Sequence, residues 1–153
     1  MTMSDEFFPE IEIRDDQAEA IARGLYVVAR ADGKVHEREA AMISEFFNST
    51  TDHPSHLGSL ERAPKIEPTT LAAILATKDL RRLFLKTATL LAYADGNYTP
   101  VEQKAIGEFA KAFGVDAKEL ATLEQQVRDY MIGQLAHLQN VDAVAEVQKG
   151  LKR

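Results

Sequence analysis

Two short stretches of the chain, ADGKVHERE and ADGNYTPVE, place carboxylates at the same spacing. In each stretch an Asp-Gly pair is followed, after five residues, by a glutamate: Asp32 with Glu39, and Asp95 with Glu102. Carboxylate oxygens are ligands that calcium and other hard divalent cations prefer, and a glycine between them lets the chain turn sharply. These four carboxylates are therefore candidate metal ligands, with calcium favoured.

The spacing Asp-Gly-x5-Glu matches the second half of an EF-hand loop, in which the last glutamate binds calcium through both oxygens. Neither copy has the first half, because the first two ligand positions are Val28 and Arg30 in one copy and Leu91 and Tyr93 in the other. A complete calcium loop is therefore excluded. Half a loop supplies about three oxygens, whereas calcium takes six to eight. A cation site thus needs the two halves to face each other, or water to complete the coordination.

The same residues also suit a turn followed by a helix start, without any metal. In the second copy, Thr99 fits the N-cap and Glu102 the third helical position of a capping box. In the first copy, Glu39 keeps the third helical position, but His36 stands at the N-cap, which histidine does not favour. The residues alone leave both interpretations open, and the structural one accounts for more of the pattern.

The two stretches belong to a longer internal duplication. Residues 29–47 and 92–110 align at an offset of 63 with eight identities in nineteen pairs, where composition alone would give about one or two. The identical pairs are Ala29/Ala92, Ala31/Ala94, Asp32/Asp95, Gly33/Gly96, Glu39/Glu102, Ile43/Ile106, Glu45/Glu108 and Phe46/Phe109. Each half therefore predicts a helix, a tight Asp-Gly turn and a second helix.

Helical spacing of apolar residues dominates the rest of the chain. It predicts helices at about 16–30, 37–48, 78–94 and 100–113, a short one near residue 70, and further helix after Asp116. In the helix predicted at about 78–94, the stripe expected to be buried is Leu80, Phe84, Thr87 and Leu91. No stretch alternates with a period of two, so the fold class is all-α.

The domain organisation predicted from these patterns is a single helical domain, residues 16–153, after an N-terminal extension, residues 1–15. The internal repeat covers about 16–48 and 78–113. Residues 48–68 hold three prolines and many small polar residues, which indicates an irregular connection. We expect an internally duplicated bundle of about six to eight helices, with the two helix-turn-helix halves related by pseudo-twofold symmetry.

Composition and charge exclude several functions. The 153 residues carry 24 acidic and 18 basic side chains, a formal charge of -6, which disfavours binding to nucleic acid. The absence of cysteine excludes disulfides, thiolate metal sites and a cysteine nucleophile.

No signal peptide is visible and no apolar run is long enough to span a bilayer, so we expect a cytoplasmic protein. Peripheral membrane association stays open, and the sequence does not predict an oligomeric state.

The duplicated ADGKVHEREAAMISEFF and YADGNYTPVEQKAIGEFAKAFGV segments resemble the TerB-like domain family, named for a tellurite-resistance protein. The likeness spans about residues 16–135. It implies an all-helical, internally duplicated bundle, a bacterial stress or metal-response role in the cytoplasm, and an acidic metal-binding surface. Carried over by position, that surface would be formed by Asp32, Glu39, Asp95 and Glu102. The resemblance implies no enzymatic activity.

Three functional hypotheses follow. The first is a non-enzymatic TerB-like module that binds a divalent cation, a protein partner, or both. The second is a purely structural interaction module without a metal site. The third, a hydrolase with paired carboxylates as general acid and base, is disfavoured because the sequence has no nucleophile motif, phosphate loop or HExxH motif.

Overall fold

Six helices form the described part of the protein. The computed structural model describes residues 13–31, 33, 35, 37–50, 64–93 and 99–133. For residues 49 and 50 it describes the backbone alone. The helices are α1 (Asp15–Ala29), α2 (Glu37–Thr50), α3 (Pro68–Ile74), α4 (Lys78–Ala92), α5 (Pro100–Ala112) and α6 (117–133). These residues contain no strand, which confirms the all-α prediction, and none of their helices is both long and apolar enough to cross a membrane.

The structural repeat covers more of the chain than the segments in which identical residues recur. Helices α1 and α4 begin 63 residues apart and also end 63 residues apart. Helices α2 and α5 begin at the same offset. The residues that end the first helix of each half, Arg30 and Tyr93, have nearly the same backbone angles, φ/ψ of -87°/0° and -85°/-7°. The repeat therefore includes the whole of each first helix, where almost no residue is identical.

Packing between the helices follows the symmetry expected of two equivalent halves. Within each half the helices pack as a hairpin, α1 on α2 and α4 on α5. Across the halves α1 packs on α4, α1 also contacts α5, and α2 contacts α4. Exchanging the two hairpins leaves this set of contacts unchanged, as pseudo-twofold symmetry requires. The short helix α3 packs against α1 and α5.

The halves meet where α1 crosses α4, and a glycine permits the approach. A Cβ atom on Gly24 would lie 2.6 Å from Cε1 of Phe84 and 2.9 Å from Cδ2 of Leu71. At the offset of 63, Gly24 corresponds to Thr87 and Phe84 corresponds to Ile21, so the crossing involves equivalent turns of the two helices. The pseudo-twofold axis thus passes close to this contact.

The core is built around three phenylalanines near the crossing. The Phe84 ring lies edge-on to Phe109, with centroids 4.9 Å apart, and to Phe113, at 5.8 Å. Such edge-to-face pairs add to the stabilisation that comes from burying the rings. The predicted stripe Leu80, Phe84, Thr87 and Leu91 is buried along its whole length. The hydroxyl of Thr87 is satisfied there by donating to the carbonyl of Leu83 at 2.8 Å.

Arg81 joins the ends of two helices to α4. Its guanidinium donates to the carbonyls of Ala72 and Leu75, at 2.8 and 2.7 Å, and more weakly to that of Phe113, at 3.4 Å. These carbonyls belong to the C-terminal turns of α3 and α5, where helix carbonyls have no partner within the helix. One side chain therefore stabilises two helix ends and fixes α3 against the bundle.

We expect opposite effects from the same substitution at two helical glycines. Gly24→Ala should lower the free energy of unfolding by about 1–3 kcal/mol, because the new methyl group collides with the tightly packed Phe84 ring. Gly107→Ala should raise it by up to about 1 kcal/mol, because no atom lies within 4 Å of the new Cβ and alanine favours helix. Urea denaturation measures both. A Gly24→Ala variant as stable as the wild type would contradict the tight crossing.

Candidate functional site

The candidate site consists of the two Asp-Gly-x5-Glu segments, each of which ends in the first turn of a helix. In the first turn Gly33 has φ of +109°, the conformation that the sequence predicts for it, and its amide donates to the carbonyl of Arg30 at 2.9 Å. The other turn residues of interest, Asp32, Asp95 and Gly96, lie outside the described residues. Of the four predicted ligands, the structure therefore places Glu39 and Glu102.

Both glutamates are buried. Glu39 and Glu102 are the third residues of α2 and α5, and only 0% and 1% of their surface is exposed. A glutamate is almost never fully buried unless it is paired or coordinates an ion. Each is followed four residues later by a buried isoleucine, Ile43 or Ile106, so carboxylate and core residue share one helix face. This spacing is the sequence signal from which the burial could have been predicted.

The start of α5 confirms the predicted capping box. The hydroxyl of Thr99 accepts a hydrogen bond from the amide of Glu102 at 3.2 Å and donates to Oε1 of the same residue at 2.9 Å. The amide of Thr99 donates to Oε1 at 3.2 Å. The backbone amides of Thr99 and Glu102 thus each bond to the side chain of the other residue. The amide and the hydroxyl of Thr99 both donate to the same carboxylate oxygen, Oε1.

The second carboxylate oxygen of Glu102 has no such donor. Oε2 is buried and makes no hydrogen bond with any residue that the structure describes. Leaving a buried acceptor unsatisfied costs about 1–3 kcal/mol, and more when the group is charged. Proteins satisfy such atoms with an ordered water, an ion or a proton. Oε2 of Glu39 likewise makes no hydrogen bond with a described residue, although Glu39 takes part in other interactions.

The two helices that carry these glutamates do not form a large contact with each other. Within the described residues α2 packs on α1 and α4, and α5 packs on α4, α1 and α3. The same residues contain no group of three or more His, Asp or Glu side chains that could hold a metal. Because Asp32 and Asp95 fall outside that set, the convergence of the four carboxylates stays a prediction.

Comparison with solved structures shows the fold. The chain resembles a tellurite resistance protein from Nostoc punctiforme PCC 73102, with a TM-score of 0.69 and 19% sequence identity. The match covers 91% of this chain and 89% of that protein. The chain therefore has a TerB-like fold, as the duplicated motif predicts. No family model and no curated protein matches the sequence.

The capping box generates a stability prediction. Thr99→Ala removes the hydroxyl that both accepts from the Glu102 amide and donates to its carboxylate. We expect it to lower the free energy of unfolding by about 1–2 kcal/mol, the upper part of the range for lost N-caps. Thr122→Ala is the control, because that exposed hydroxyl only donates to the carbonyl of Lys118 within α6. Thermal unfolding in EDTA compares them; equal stability of the two variants would show that the box contributes nothing.

Proposed function

We propose that the protein is a non-enzymatic TerB-like module that binds a divalent cation, with calcium favoured, through Asp32, Glu39, Asp95 and Glu102. The observation that carries the proposal is the buried Oε2 of Glu102, which has no hydrogen-bond donor. A cation at this oxygen would offset the energetic penalty of burying a carboxylate.

The capping box supports the proposal because it uses only one of the two carboxylate oxygens of Glu102. Oε1 of Glu102 receives both donors from Thr99 and thereby orients the side chain. Oε2 is left for another partner, and Asp95 lies seven residues earlier in the sequence. In an EF-hand the glutamate at the end of the loop is likewise the first helix-borne ligand, and hydrogen bonds around a ligand hold it in the orientation the ion needs.

The number of ions is part of the proposal. Four carboxylates around one calcium would supply most of its six to eight oxygens, with water for the rest. One ion per chain then corresponds to two half-loops that face each other. Two ions per chain would mean that each half-loop binds its own cation and relies more on water.

The biological setting that we propose is a cytoplasmic stress or metal-response system of a bacterium. It is supported by the shared fold with a protein described as a tellurite resistance protein. The non-enzymatic role is supported by the sequence, which lacks a phosphate loop, an HExxH motif and a recognisable nucleophile motif.

A second candidate is an interaction module that binds a protein partner without metal. The capping box favours it, because it gives Glu102 a structural role by itself.

The metal proposal is tested by calcium titration of the wild type and of the double variant Asp32→Ala/Asp95→Ala. At about 100 times the dissociation constant, calcium should raise the wild-type melting temperature by about 5–10 °C. The double variant should not respond. The matched control is Glu45→Gln/Glu108→Gln, which removes two charges from exposed glutamates that are also repeated; it should respond like the wild type.

Glu102→Gln separates the two roles of that side chain. The amide oxygen can still accept from Thr99, and loss of the buried charge offsets the cost of burying an amide NH2 in its place, so in EDTA the variant should stay within about 1 kcal/mol of the wild type. It should nevertheless lose the calcium response. Isothermal titration calorimetry gives the stoichiometry and thereby decides between one shared site and two. No stabilisation of the wild type by millimolar calcium, magnesium, manganese or zinc would contradict metal binding and favour the interaction module.

A further inference from the structure

A pocket of about 350 Å³ opens between α1, the beginning of α5 and the segment that leads into α3. Its volume lies within the range of small-molecule sites, about 300–1,000 Å³. The charged residues in its wall are Arg23 and Arg30 from α1 and its end, Lys65 from the segment before α3, and Lys104 and Glu108 from α5. None of them belongs to the proposed cation site.

The charge of this pocket is opposite to that of the chain. Four of its eleven described lining residues are cationic, against 18 in the 153 residues of the whole chain. With one carboxylate, Glu108, the described part of the wall carries a net charge of +3 in a protein of net charge -6. Cations gathered around a concave surface attract a multivalent anion more strongly than scattered ones do. The pocket is thus the place in the described structure best suited to a dianion.

Arg23 is held in position without an acidic partner. Its Nη2 donates to the carbonyl of Pro64 at 2.9 Å, and its Nε is buried and makes no hydrogen bond. No described carboxylate forms an ion pair with Arg23, and the same holds for Lys65 and Lys104. A carbonyl orients a guanidinium but does not neutralise it, so these three positive charges are available to a ligand.

The remaining wall is apolar. Val27 and Ala105 are half-buried, and Val101 has 48% of its surface exposed at the rim. The ring of Tyr26 lies under the guanidinium of Arg30, 5.3 Å from its centroid, which keeps that cation at the pocket. A ligand that matches both parts of the wall carries a compact double negative charge on a small apolar body.

We propose that this pocket binds an organic phosphate. The dianionic phosphate contacts Lys65, Lys104 and the guanidinium of Arg23, whose planar donors suit phosphate oxygens. The apolar body of the ligand lies against Val27 and Val101. Glu108 opposes a second anionic group, which favours a phosphomonoester with a neutral or hydroxylated body.

Isothermal titration calorimetry in EDTA tests the proposal, because no metal ion is then present to bind phosphate. Phenyl phosphate should bind, inorganic phosphate should bind more weakly, and phenol should not bind. Binding of phenyl phosphate should weaken as sodium chloride rises from about 0.05 to about 0.5 M, as expected for exposed charges. Phenol binding as tightly as phenyl phosphate, or no binding of phenyl phosphate, would overturn the proposal.

Charge reversal on α5 supplies matched variants. Lys104 and Lys111 are both exposed on that helix, but only Lys104 lines the pocket. Lys104→Glu should weaken phenyl phosphate binding about tenfold or more, because it turns an attraction into a repulsion. Lys111→Glu should leave the affinity nearly unchanged. Equal losses in the two variants would mean that the anion responds to overall charge and that the pocket is not its site.

Discussion

The contact between Gly24 and the ring of Phe84 sets the arrangement of the bundle. Because Gly24 has no side chain, α4 approaches α1 so closely that even a methyl group would overlap the ring. The same ring packs edge-on against Phe109 and Phe113, so the position of α5 depends on how α4 meets α1. The start of α5, where Glu102 is buried, is therefore fixed through a chain of rigid contacts that begins at the crossing. The close approach at Gly24 is thus linked, through these rings, to the position of the helix that carries Glu102.

Much of the fold could be predicted from the sequence because residue types at short, fixed spacings indicate helices, helix ends and turns that the structure contains. The helix start at Thr99, the stripe on α4 and the turn glycine Gly33 each follow from residue types at fixed spacing. The burial of Glu39 and Glu102 was not predicted, because glutamate at the third helical position usually reaches solvent. Unlike that burial, for which the spacing to Ile43 and Ile106 is a signal, the cationic pocket could not have been predicted. Arg23 and Lys104 are far apart along the chain, and only the packing of α5 on α1 brings them to one cavity.

The buried glutamates and the cationic pocket differ in the sign of their charge and therefore in the ligand that each favours. Oε2 of Glu102 is a buried carboxylate oxygen with no hydrogen-bond donor among the described residues, so it favours a cation. The pocket collects positive groups of an acidic protein around an apolar wall, so it favours an anion. Ala31, the residue before Asp32, lines the pocket, which makes the two proposed sites neighbours along the chain.

The most direct test of the account is a crystal structure of the protein grown with calcium. The measured quantity is the distance from Oε2 of Glu102 to the ion. The account predicts an ion at about 2.3–2.6 Å from that oxygen, with the carboxylate of Asp95 among its other ligands. A structure in which Oε2 accepts a hydrogen bond from a water or a protein donor, with no ion near it, would contradict the central claim.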